Sequence, residues 1–296
     1  MKKIKRQVLS KSGYTKNIIM KNTLFWIIAI IITIGAVVFQ KLTGPTYPVK
    51  YNISLNNTNY DLKFLRSQGG TKDCKLIFPI KDSTISGEIY YRHYPTNENW
   101  DTIILQSENG FLSGYLPNQP PAGKLEYFVS LKDNNASYKL FSNNPIKIRF
   151  KGEVPNLVLI PHILLMFIAM LLSTLAGIYA AFNNKKHKIY SIIAFSSLFV
   201  GGMILGPTIQ HYAFGQAWTG IPLGWDLTDN KTLFAIITWI IALSANYKKN
   251  KPKFTLAAAI ILLLIYSIPH SMFGSELDYS NGKIISGYII NYFSFL

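Results

Sequence analysis

The chain has 296 residues, 49% of them hydrophobic and only 15% charged, and 30 Lys and Arg against 14 Asp and Glu give a formal net charge of +16. A basic balance of this size suits a nucleic-acid binder, but the cations gather in short segments between long apolar runs, which is the pattern of membrane orientation. The single cysteine, Cys74, excludes an intramolecular disulfide, a multi-cysteine metal site and a CxxC redox motif.

Residues 1–23 form a basic N-terminus, with seven Lys and Arg before Thr23. The apolar run over 24–39, LFWIIAIIITIGAVVF, continues into QKLTGPTYP without the small residues of a cleavage site. Residues 24–42 therefore read as an uncleaved signal anchor, with the N-terminus on the cytoplasmic side of an inner membrane. From 45 to 151 no apolar run is long enough to span a bilayer. Short alternating segments recur instead between turn signals: VKYNISL, YDLKFLR, CKLIFPI, GEIYYRHY, DTIILQS, GFLSGYL, KLEYFVSL, SYKLFS and IKIRF. Seven to nine such strands predict an antiparallel β-sandwich. The stretch GEIYYRHYPTNENW, followed by GFLSGYLPNQPPAGKLEYFVSLKD, resembles immunoglobulin-like and fibronectin type III modules. That resemblance implies a fold of about a hundred residues and no catalytic motif.

Beyond 155 the apolar runs return, over 157–182, 189–206, 233–245 and 254–268. With their flanks, each approaches the roughly 20 residues a helix needs to cross the hydrocarbon. The lysine-rich loops NNKKHK and YKKNKPK fall on the cytoplasmic side if the N-terminus does. The expected fold is thus an α+β membrane protein with about five transmembrane helices. An extracytoplasmic sandwich sits between helices 1 and 2, a four-helix domain covers 155–273, and an outer loop covers 207–231. The tail, 274–296, is too short to span; it lies at the outer interface or docks on the sandwich or a partner.

Three of the five histidines carry the functional lead. His162 in IPHILL, His211 in GPTIQHYAFG and His270 in SIPHSMFG all fall near the outer ends of helices. Neutral imidazoles on neighbouring helices can ligate haem or a transition metal. The same residues also sit comfortably at an interface, reaching headgroups or capping helix ends. His93 reads as a surface strand residue, and His187 as part of a solvated basic loop. In the outer loop, Trp218 and Trp225 fit an interfacial aromatic belt, and Asp229 or Asn230 fits a helix N-cap. The segment AWTGIPLGWD, with the following ITWIIAL, resembles the tryptophan-rich WWD segment of haem-handling cytochrome c maturation proteins. That family presents haem at the outer face between flanking histidines, which implies roles for His211, His270, Trp218 and Trp225. Its central tryptophan is replaced here within IPL, and the spacing from Trp218 to Trp225 is one residue longer.

No GxxxxGK[ST] or GxSxG motif is present. Two functions therefore stay open. One is a non-catalytic subunit or assembly factor of a membrane redox complex, binding lipids and membrane or periplasmic proteins through the sandwich. The other is a membrane redox protein holding haem or a metal on the three histidines.

Overall fold

The computed structural model of the protein describes residues 2–269 and 274–285. The architecture is α+β, and the chain divides into two compact units: 1–42, 159–206 and 231–269 in the first, 43–158, 207–230 and 270–296 in the second.

The first unit is helical. Helix α1 (Lys2–Thr43) carries the apolar stretch Met20–Thr43, α2 spans Asn156–Ala181, and a continuous helix runs over His187–Phe214. All three are long and apolar enough to cross a membrane. The last of them consists of α3 (His187–Leu198), a π-helical segment over Phe199–Leu205, and α4 (Gly206–Phe214). Helices α5 (Leu227–Asn246) and α6 (Pro252–Ser267) follow, and α6 is apolar but shorter. Large apolar side chains such as Ile31, Ile34, Leu164 and Leu264 face outward on these helices, as lipid-facing residues do.

Small residues let the helices approach. Ala169, Ala176, Ala235, Ala258 and Ala259 share a core with Leu198, Leu262 and the fully buried Trp239. A Cβ at Gly177 would come within 2.7 Å of the Ala259 methyl, so α2 and α6 meet where only hydrogen fits. Helix α1 packs through Phe25 and Ala29 against Leu175 and Tyr179, and the Tyr179 hydroxyl donates to Asn22 Oδ1 at 3.1 Å.

His187 departs from the solvated position its lysine-rich neighbours predict. It is fully buried, with Nδ1 3.0 Å from Thr255 Oγ1 and Nε2 3.0 Å from Asn250 Oδ1. The amide oxygen can only accept, so Nε2 carries the proton and Nδ1 accepts from the hydroxyl. The lysines beside it supply the basic loop, while the imidazole ties α3 to α6 and to the loop before it.

The second unit is built of β-strands. All nine predicted segments form strands, and the run over 101–108 divides into two. One sheet has the order β3 (Ser67–Gly69), β11 (Ile146–Lys151), β9 (Lys124–Lys132), β5 (Ser86–His93) and β6 (Asp101–Ile104), with β10 (Ser137–Leu140) also on β9. A second has the order β4 (Cys74–Phe78), β8 (Phe111–Leu116) and β7 (Gln106–Glu108). Strands β1 (Val49–Leu55) and β2 (Thr58–Phe64) form a hairpin. Inward residues of all three meet in one core: Leu62 and Phe64 from the hairpin, Cys74, Leu76 and Phe78 from β4, and Ile89, Tyr127, Val129 and Ile148 from the larger sheet. Period-two alternation produces this, as the buried–exposed–buried–exposed–buried pattern of β4 shows.

The pairing is not antiparallel throughout. Strand β3, a short segment before a Gly-Gly turn, pairs parallel with β11, Arg149 opposite Ser67. Three residues with no apolar alternation leave no pattern to read, which is why β3 is absent from the sequence expectation. A further hairpin, β12 (Glu276–Asp278) and β13 (Lys283–Ile285), lies in the C-terminal tail. It packs on the sheets: Leu277 N–H donates to Ala122 O at 3.2 Å, and the Tyr279 hydroxyl accepts from Lys124 N–H at 2.9 Å. The end of the tail, 286–296, lies outside the described residues.

Candidate functional site

His162 lies on the second turn of α2, just after Pro161, and is half-buried. Its Nδ1 stands 2.9 Å from the carbonyl oxygen of Gly201 in the π-helical segment. A carbonyl only accepts, so Nδ1 bears the hydrogen and Nε2 keeps its lone pair. A ring nitrogen donating to a backbone carbonyl while the other presents a lone pair is the arrangement that orients ligating histidines. The π-helical geometry places that carbonyl: Gly206 N–H also bonds to Gly201 O, five residues back. The wider turn accommodates Pro207, whose ring would crowd the preceding turn of a regular α-helix. A Cβ at Gly201 would meet Leu165 and the Met166 sulfur at 3.0 and 3.1 Å, so glycine is what lets the segment lie against α2.

Because the helix runs on to Phe214, the irregular part of the loop expected over 207–231 narrows to 215–226. His211 therefore sits in the last turn of α4 and is exposed, with its ring edge-on to Tyr212. Gly215 N–H closes that turn on His211 O at 2.8 Å, with the left-handed φ of +77° that favours glycine. His162 and His211 belong to different units, and His270 lies outside the described residues. Among the described residues, no group of three His, Cys, Asp or Glu side chains is positioned to hold a metal.

The loop itself is tightly bonded. Trp218 Nε1 donates to Ile221 O at 3.1 Å, while the Trp225 ring is exposed. The N-cap of α5 is Asp226, rather than Asp229 or Asn230. Its Oδ1 accepts from Thr228 N–H at 2.7 Å and lies 3.4 Å from Asp229 N, which satisfies donors of the first turn. The helix begins at Leu227, six residues before its apolar run over 233–245, because the residues that open it are polar. Asp229 instead closes the loop: the buried Oδ2 accepts from Thr219 N–H at 2.6 Å, and from Thr219 Oγ1 and Gln210 Nε2 at 3.1 Å each. Asn230 Oδ1 takes Ile221 N–H at 2.7 Å. A Cβ at Gly220 would come within 2.7 Å of Asp229 Cβ, so only glycine permits this closure.

A second polar cluster was not visible in sequence, since its members come from 122–151, 214–226 and 274–279. The buried Arg149 guanidinium donates to Ser275 O at 2.5 Å and lies 4.1 Å from the Phe214 ring centroid. Burial lowers its pKa to about 10, opposed by the charges of Asp226 and Glu276. Lys124 pairs with Glu276, and burial lowers the amine's pKa against that carboxylate's pull. Burial also raises the Tyr279 hydroxyl to about 12. The His93 ring lies 4.3 Å from the Tyr279 ring, tilted by 35°, and contacts Glu98 through Nδ1 at 2.8 Å, so it is a surface strand residue with two partners. These contacts fasten the tail and the α4 end to the sheets.

Comparison with known proteins finds no matching family model and no matching curated relative.

Proposed function

We propose that this chain is a subunit or assembly factor of an inner-membrane complex, anchored by about five helices, which holds a partner protein through an extracytoplasmic β-sandwich. The observation that carries this reading is the outer face of the three-stranded sheet. There Ile77, Phe111 and Tyr115 are exposed while the alternate residues Leu76, Leu112 and Leu116 close the core. Ile77 and Tyr115 are diagonal neighbours across β4 and β8, so they form one patch. Ile104 on the edge strand β6 is 66% exposed. Uncovered apolar residues on a well-packed sheet support partner binding better than catalysis. The test is a pair of charge substitutions, Ile77→Asp and Tyr115→Asp, in protein extracted from its native membranes. A partner that co-purifies in fixed ratio with wild type and is lost from both folded variants supports the reading. Retention of that partner by both variants contradicts it.

One observation favours the second reading, a membrane protein holding haem or a transition metal. His162 is oriented through Nδ1 with Nε2 left as a donor atom. This reading has His162, His211 and His270 converge at the outer membrane face, with Trp218 and Trp225 beside them. A reduced-minus-oxidised haem band, or stoichiometric metal, that vanishes in His162→Ala supports it. A featureless spectrum and no metal, from folded protein produced with ample haem, rejects it.

A further inference from the structure

The tip of the outer loop presents large apolar side chains on a rigid frame. Leu223 is 75% exposed, Trp225 59% and Ile221 46%. Soluble loops that expose such residues usually do so singly; here three lie within five positions. They are held in place by the frame. Leu223 and Gly224 N–H groups both reach Gly220 O at 2.8 and 2.9 Å, and Asp226 N–H reaches Thr219 O at 3.0 Å. The Asp229 and Asn230 side chains fix the opposite strand of the loop. Residues 215–225, GQAWTGIPLGW, carry no charge, and the nearest carboxylates, Asp226 and Asp229, are buried.

The covalent chain limits where this tip can be. It follows the continuous apolar helix His187–Phe214 directly. Trp225 precedes the first residue of α5 by two positions, a reach of about 7 Å at most. The polar layer outside the hydrocarbon is roughly 5–8 Å deep on each side of a bilayer. A neutral tip of Ile, Pro, Leu and Trp so close to helix ends matches the chemistry of that layer, where indole rings partition well.

We infer that residues 221–225 form a membrane-interface wedge, seated among the headgroups and upper acyl chains of the bilayer that the helices span. This seat fixes the depth and tilt of the helix that ends at Phe214. It rests on the membrane reading of the flanking helices and does not depend on what the sandwich binds.

The test uses the full chain in vesicles of phosphatidylethanolamine and phosphatidylglycerol. Cys74, the only cysteine and a buried one, is replaced by Ala. A nitroxide is then attached to Leu223→Cys, with Ile221→Cys as a second position on the tip. Asn97→Cys on an exposed sheet loop and Ile31→Cys on the outward face of α1 serve as water and lipid references. Collision with oxygen, which concentrates in lipid, is compared with collision with a nickel chelate, which stays in water. The wedge predicts an oxygen-to-nickel ratio at 223 and 221 several-fold above that at 97 and approaching that at 31. A ratio at the tip equal to that at 97 overturns the wedge while leaving the membrane reading intact. Shielding of the tip from both reagents also overturns it, because protein then covers the loop. A water-like ratio at 31 as well overturns the membrane reading itself.

Discussion

At the scale of single residues, the side chains with the clearest consequences are those that satisfy backbone groups. Asp226 caps α5, so Asp226→Ala is expected to lower stability by about 1 kcal/mol, with Asp226→Asn much milder; thermal unfolding in detergent checks both. Asp278 carries a pH dependence. Hydrogen bonds from Ser280 and Asn281 hold its carboxyl below the usual carboxylate value. A depressed folded-state pKa gives stability that is present above the unfolded value, about 3.9, and lost as pH falls through the folded one. Wild type and Asp278→Asn should therefore differ in melting temperature at neutral pH and converge below about pH 4. A gap that persists in acid would assign the difference to packing. His187 shows why such roles are hard to read in sequence. Its neighbours are lysines and asparagines, and only the fold brings Thr255 and Asn250 to its two nitrogens.

At the scale of elements, the helices depend on close approach. Gly177→Ala places a methyl 2.7 Å from that of Ala259, on a side chain with no rotamer to yield. The substitution should cost roughly 1–3 kcal/mol, seen as a lower melting temperature with the helical signal retained. A neutral or stabilising result would mean that α2 and α6 are farther apart. Strands were legible because alternation is a strong local signal; β4 shows it without interruption. What escaped were features set by tertiary context: the three-residue β3 with its parallel partner, the π-helical segment over Phe199–Leu205, and the extension of its helix to Phe214. Gly201, Gly202 and Pro207 lie in or beside that segment, but composition alone does not distinguish a widened helical turn from a loop. Helix α5 started earlier than its apolar run because a cap and a polar first turn carry no hydrophobic period.

At the scale of the whole molecule, the division into an apolar helical part and a β part was readable from the change of hydrophobic pattern near 45 and 155. The candidate site was far less so. Sequence marked His162, His211, Trp218 and Trp225, but the hydrogen bond that orients His162 and the Asp229 clamp that shapes the loop come from residues 39 and 10 positions away. The exposed face of Ile77 and Tyr115 needed the sheet pairing to become one patch. The proposal that joins these parts is that the chain holds a partner protein through its sandwich. The most direct measurement is the mass of the assembly extracted intact from native membranes, with a visible spectrum of the same sample. The account predicts a discrete complex of this chain with a second protein in fixed ratio, reduced to the chain alone in Ile77→Asp, and no absorbance assignable to this chain. A wild-type chain that emerges alone, bearing a haem band or stoichiometric metal lost in His162→Ala, would contradict it.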